Sequence, residues 1–463
     1  MNRFFFFFFL LFFVTNSFAQ DCNCYDNFVW LKQTFEINDA GFQYVIDKKG
    51  VQEYQQLTQK TEEKTKNIST IYDCAEILRN WLSFFRSNHI GLGIIKEYTT
   101  ENQSKTTTFY DKEFFNIDTT GFKQYLDTKK NFNFEGIWFD ENYTIGVKMI
   151  GNQYIGFVIN SKYEEWTSGQ VKFKIYKDSI IYYMRDYSKK VFNRANLLSK
   201  NFLLFDYNID FSFTRYYPKY EDKFLNSYID RKPYFETLNN KTCYLRIPSF
   251  NYELLQVIDS IIFDNKKKII KTENLIIDLR LNSGGSDNCW QHIIPIFFTN
   301  PYRQKNLYYL STELNNQHYL KYSGNNLFDI LNKKLGQFIK NGNDYYEIKS
   351  WEKVYKFPKQ IAIVVDRYCA SSTEQFLLAA KQSKKVKVFG NITAGALDFA
   401  NINSVNSPCD DFVLIYATSK DVDLENFPLD NIGIQPDFYI DKDIPEYKWI
   451  DYVNDILNYS NKK

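Results

Sequence analysis

The stretch from 361 to 380 constrains this chain more than any other. An unbroken apolar run, Ile-Ala-Ile-Val-Val at 361–365, enters a short polar turn and passes at Ser371 into a segment of helical spacing that extends to 382. An apolar run without alternation marks a strand covered on both faces. The same strand and helix alternation fills the region from about 233 onward, with apolar strands at 243–247, 275–279 and 386–389 and a helix at 254–270. The pattern predicts an α/β domain.

At 463 residues the chain exceeds the size at which one core keeps growing, so two or three domains are expected. Between 67 and 85, Ile71, Cys74, Ile77, Leu78, Trp81, Leu82 and Phe85 recur at helical spacing behind Thr70 and Asp73, a capping-box-like start. Residues 24–66 also look mostly helical, which gives a small helical cap over 20–95. From 96 to 232 the pattern changes to short alternating segments broken by Gly, Asn and Asp, the signature of an antiparallel sheet or small barrel. The α/β domain then occupies 233–445, and 446–463 form a terminal helix or tail.

Residues 1–19 combine Arg3, an apolar run at 4–14 and Ser17-Phe18-Ala19, the layout of a cleavable signal peptide. The expectation is a soluble, exported chain starting near Gln20, periplasmic or extracellular. No transmembrane segment is expected after cleavage, and no cysteine directly follows the small residues to carry a lipid. Lys plus Arg number 57 against 55 acidic residues, too even a balance to point to nucleic acid as a partner. The 43 Phe and 36 Tyr read as a bias toward AT-rich codons and carry no functional weight.

The seven cysteines are dispersed, which argues against a disulfide scaffold or a zinc cluster. In an oxidising compartment Cys22 or Cys24 could pair with Cys74 and pin the tail. Cys369 is expected to be a buried free thiol. No metal and no cofactor are expected.

Ser371, at the start of a helix, has unpaired N–H groups and the positive end of the helix dipole beside it, and both stabilise an oxyanion. Taken alone it reads as an ordinary N-cap, since Ser is favoured there in any protein. A second segment changes that reading. The apolar strand that begins Asn274-Leu-Ile-Ile-Asp278 ends in Asn282-Ser-Gly284-Gly285, a turn where backbone can approach a ligand closely.

Together with Thr393-Ala394-Gly395 and Asp430-Asn-Ile-Gly433-Ile-Gln-Pro436-Asp437, these segments resemble, in order over 241–440, the tricorn and carboxyl-terminal-processing (tail-specific) serine protease family. The resemblance implies a crotonase-like, Clp-protease-like core. It also implies a peptidase acting on peptides or unfolded protein, with Ser371 in Cys369-Ala-Ser-Ser-Thr-Glu374 as nucleophile. The N–H of Ser372 and one from Gly284 or Gly285 would form the oxyanion hole.

The processing proteases place a lysine base directly after the Gly of the Thr-x-Gly turn, where this chain has Ala396. The tricorn-like branch instead draws a histidine from the N-terminal region, which His89 in Asn88-His89-Ile90-Gly91 matches, without the acid that precedes it in the family. Asp430 stands where that branch has Glu and would orient the active-site hydrogen bonds. Of the other histidines, His292 is expected to pack within the apolar stretch 290–298, and His318 lies in a polar run. A binding protein of the same fold without turnover, and a general esterase, are the alternative functions.

Overall fold

The computed structural model describes residues 22–95 and 112–459, apart from positions 69, 117, 131, 178, 207, 223, 224, 324, 341 and 343. The expected signal segment, 1–19, lies outside the described residues. The chain forms two compact units, the first drawn from the chain before 103, from 308–339 and from 399–420, the second from the remainder.

In the first unit the helices Cys24–Asn38, Phe42–Lys49, Val51–Thr65 and Ile71–Leu82 follow one another. Thr70 caps the last of them by accepting the N–H of Asp73 at 3.1 Å. Its apolar stripe, Cys74, Leu78, Trp81 and Leu82, is buried with Phe28, Leu31 and Phe35. The strand Gly91–Ile94 then pairs antiparallel with Phe412–Asp421, which also pairs with Phe399–Asn406. Two disulfides, Cys24–Cys74 and Cys22–Cys409, tie this unit together.

The two large sheets of the second unit are of opposite character, beside a two-stranded pair of Tyr302–Lys305 with Tyr346–Lys349. A nine-stranded antiparallel sheet between Gly136–Phe139 and Asn208–Tyr217 buries Trp138, Val147, Phe173, Phe205 and Phe213. The six-stranded sheet has the order Tyr234–Asn239, Thr242–Arg246, Asn274–Asp278, Gln360–Val365, Val386–Gly390, Phe438–Tyr439. Only its first pair is antiparallel.

Helix residues Ile258, Ile262, Phe376 and Leu377 pack with Ile277 and Ile363 in one cluster, and Trp449, Val453 and Leu457 pack with Ile276 and Val364 in another. Covering on both faces explains why these strands are apolar without alternation. The central register sets Asp278 opposite Val364, so the carboxyl ends of two parallel strands lie side by side. Ligands of open α/β sheets bind at that edge.

Candidate active site

The chain leaves the Gln360–Val365 strand at Asp366, and the helix Ser372–Ala380 begins immediately after Ser371. An ordinary N-cap has extended backbone. Ser371 has φ 55° and ψ −121° instead. A non-glycine residue adopts such a conformation only when its surroundings impose it, and strained strand-to-helix turns of this kind present nucleophiles. The surroundings here are hydrogen bonds: Ser371 N–H donates to Glu374 Oε2 at 3.1 Å, and the carbonyl of Asn282 accepts Ala370 N–H at 3.2 Å and Thr373 Oγ1 at 2.9 Å.

Parallel pairing places the end of Asn274–Asp278 next to this turn, and Gly284 closes the approach. With φ 99°, a Cβ there would stand 2.9 Å from both Ser371 Cβ and Ser372 N and 2.7 Å from Ala370 O, so only glycine fits. The N–H of Gly284 is already committed to Asn282 Oδ1 at 3.0 Å. Of the two glycines read from the sequence, Gly284 is buried and Gly285 exposed. Beneath the turn, Asp278 and Arg280 form a buried ion pair, with Arg280 Nε 2.9 Å from Asp278 Oδ1. The guanidinium groups of Arg280 and Arg246 outweigh burial and hold the Asp278 carboxyl down at about 2.

Glu374 joins the remaining motifs to the serine. Its carboxylate accepts the N–H of Gly395 at 2.8 Å, the N–H of Ala396 at 2.8 Å and the hydroxyl of Thr393, besides the N–H of Ser371. Burial still pushes its carboxyl up, against the pull of these donors. The Thr393-Ala394-Gly395 turn in turn packs on 429–434: Thr393 Oγ1 accepts Ile434 N–H at 2.7 Å, and a Cβ on Gly395 would meet Leu429 O at 2.4 Å. Asp430 Oδ1 accepts the N–H groups of Leu397 at 2.9 Å and Asp398 at 2.8 Å. Glu374 sits three residues after Ser371, the capping-box position, a signal that could have assigned it a role from sequence.

His89 belongs to the first unit, where it is half-buried with φ 56°. Its Nδ1 is hydrogen-bonded to the carbonyl oxygen of Phe399. A carbonyl can only accept, so the proton of a neutral ring sits on Nδ1 and the lone pair on Nε2. Burial lowers the imidazole pKa below its ordinary 6.5, with Arg86 acting in the same direction and the Phe399 carbonyl against it. Arg86 also donates from Nε to Asn88 O at 3.1 Å and is paired with buried Asp39, its NH1 2.7 Å from Asp39 Oδ1. Neither the Phe399 carbonyl nor this ion pair has a sequence signal, because both partners come from distant parts of the chain.

The other histidines lie elsewhere. The expected packing of His292 is overturned: its side chain is 66% exposed and its Nδ1 lies 2.7 Å from Asp259 Oδ1. Trp290, Ile293, Ile294 and Phe297 fill the buried face of that stretch, and 292 falls off it. His318, on the helix Glu313–Ser323, interacts with Asn403. Cys369 is a fully buried free thiol, 3.1 Å from Leu279 O, as read from sequence.

No curated protein sequence matches the chain significantly. Among solved structures, mature CPAF complexed with lactacystin is 12% identical, with 95% of this chain and 98% of that one covered at a TM-score of 0.52. The photosystem II D1 C-terminal processing protease is 11% identical, over 92% of this chain and 95% of that one, at 0.42. Tricorn protease is 13% identical, over 89% of this chain and 35% of that one, at 0.39. The family model of peptidase family S41 matches residues 241–440. That span contains the five parallel strands of the six-stranded sheet and both turns at its carboxyl edge, a crotonase-like, Clp-protease-like catalytic domain. Sequence motifs and fold therefore make one statement: residues 241–440 form a domain of the peptidase family S41 type, and the chain is a serine-type peptidase.

Proposed function

We propose that the chain is an exported peptidase that cleaves peptides or unfolded protein segments through Ser371, with His89 as its general base. The observation that carries the choice of base is the hydrogen bond from His89 Nδ1 to the Phe399 carbonyl. It supports a ring with a free Nε2 lone pair, and the lowered pKa supports a neutral ring near pH 7.

In this reading Nε2 takes the Ser371 hydroxyl proton as Oγ attacks the substrate carbonyl carbon. The charge that develops on the carbonyl oxygen is received by the N–H groups of Ser372 and Gly285, each donor worth roughly 3 to 4 kcal/mol. The imidazolium returns its proton to the departing amine, and a water, deprotonated by the same ring, hydrolyses the acyl ester. Asp430 is a positioning residue here, since it holds Leu397 and Asp398, the stretch that continues into Phe399. Export is supported by the signal-like segment at 1–19 and by the two disulfides, which form and persist in oxidising compartments.

The test compares peptide hydrolysis and fluorophosphonate labelling of the wild type, Ser371→Ala and His89→Ala. Both substitutions should abolish turnover, and Ser371→Ala should also abolish labelling. Undiminished hydrolysis by Ser371→Ala would sink the proposal.

A further inference from the structure

Two carboxylates that take no part in the chemistry above join the two turns of the site. Asp366 is wholly buried at the end of the Gln360–Val365 strand. Its Oδ2 accepts the N–H of Leu281 at 2.9 Å and its Oδ1 accepts the N–H of Tyr368 at 2.9 Å. Leu281 precedes Gly284 and has φ 64°, a conformation a leucine does not adopt unaided. Tyr368 precedes Ser371 in the nucleophile turn. One carboxylate thus fastens both turns at their inner ends.

The second, Asp287, lies just beyond Gly285. Its Oδ1 accepts the hydroxyl of Ser372 at 2.6 Å and the indole N–H of Trp290 at 3.3 Å. The same indole N–H lies 3.0 Å from Ser372 Oγ. The outer ends of the turns are fastened in this way, and the N–H groups of Gly285 and Ser372 lie between the two fastenings.

We propose that Asp366 and Asp287 are positioning residues that set the separation of the Gly285 and Ser372 N–H groups, and so the oxyanion hole, without touching substrate. The proposal rests on reading Ser371 as the nucleophile. Such precision matters, because a misplacement of about 1 Å costs on the order of a hundredfold in rate.

Both carboxylates are held in surroundings that do not favour their charge. Burial pushes Asp366 up to about 6, although the N–H groups of Tyr368 and Leu281 and the guanidinium groups of Arg280 and Arg246 pull the other way. Cys369 Sγ, 3.5 Å from Asp366 Oδ1, adds a weak donor. Burial raises Asp287 as well, opposed by Ser372 and Trp290. With its folded value above the ordinary 3.8, ionised Asp366 costs stability, and that cost disappears as pH falls from about 6 toward 3.8. A carboxylate kept only for stability would run the other way.

Two measurements test the proposal on the full chain. Hydrogen exchange of Asp366→Asn at pH 7 should show protection at Leu281 and Tyr368 about tenfold or more below that of the wild type, with the neighbouring strands unchanged. Asp287→Asn, at a partly exposed position, should lower kcat and weaken peptide-aldehyde inhibition by about ten- to a hundredfold, with KM within about twofold. Asp287→Glu should recover part of both. Wild-type protection at Leu281 and Tyr368 in Asp366→Asn, or an Asp287→Asn enzyme with wild-type kcat and aldehyde affinity, overturns it. A wild type that neither turns over peptides nor labels at Ser371 defeats the nucleophile reading instead, and the exchange measurement still decides whether Asp366 clamps the two turns.

Discussion

The N–H of Ala396 donates to the carboxylate of Glu374 at 2.8 Å, and the other oxygen of that carboxylate accepts Gly395 N–H. The loop 393–396 is thus gathered by its backbone and the Thr393 hydroxyl onto the helix that begins after Ser371. Glu374 therefore ties the Ser371 turn to the Thr393-Ala394-Gly395-Ala396 loop.

Glu374→Gln should be costly for this reason. Replacing one oxygen with an NH2 group sets donor against donor at a buried site, a loss of about 1 to 3 kcal/mol. Urea denaturation should show that loss, and kcat should fall more than KM rises, since the Ser371 N–H is among the four donors served.

The pH dependence of kcat/KM should carry the signature of His89. Because burial lowers its pKa from 6.5, the ascending limb should have its midpoint below 6.5. The unfolded state binds the histidine proton more readily than the folded state, so this group's contribution to stability is present above pH 6.5 and is lost as pH falls. A kcat/KM limb centred above 6.5 would exclude His89 as described.

Asp39→Asn should weaken the first unit sharply. The Arg86–Asp39 pair is 4% and 0% exposed, and removing one partner of such a pair leaves an uncompensated buried charge, at about 3 to 5 kcal/mol. Arg86 also reaches the carbonyls of Asn88 and His89 and lies 4.7 Å over the Phe399 ring. Arg86→Lys should therefore fail to restore activity even where the fold survives, because an ammonium cannot supply the planar fork. Thermal unfolding and kcat report the two effects separately.

Thiol titration should distinguish the two classes of cysteine. Cys243, Cys289 and Cys369 are free and buried, so the native protein should show no reactive thiol and the unreduced, denatured protein three. Reduction of the Cys24–Cys74 and Cys22–Cys409 bridges should lower stability by about 2 to 5 kcal/mol per bridge. Finding five or more thiols before reduction would contradict the pairing.

Much of the fold could be read from local patterns. Unalternating apolar runs foretold strands covered on both faces, and the stripe from Cys74 to Leu82 foretold its helix, because burial period and backbone geometry are properties of neighbouring residues. Gly284 could be singled out from sequence, and the structure supplies the reason: a Cβ would strike the nucleophile turn.

Ser371 was, from sequence alone, a helix cap raised to a nucleophile by the company of other motifs. What only the tertiary structure decided is how it is held: a φ of 55°, and the Gly284-Gly285 loop brought alongside by the parallel register of Asp278 with Val364. The orientation of His89 by the Phe399 carbonyl and the fastening of Leu281 by Asp366 belong to the same class. These contacts join residues 310 and 85 positions apart, and a backbone N–H or C=O looks alike at every position until folding brings one particular pair within reach. Local patterning determined the elements and their motifs; long-range packing decided which atoms those motifs hold in place.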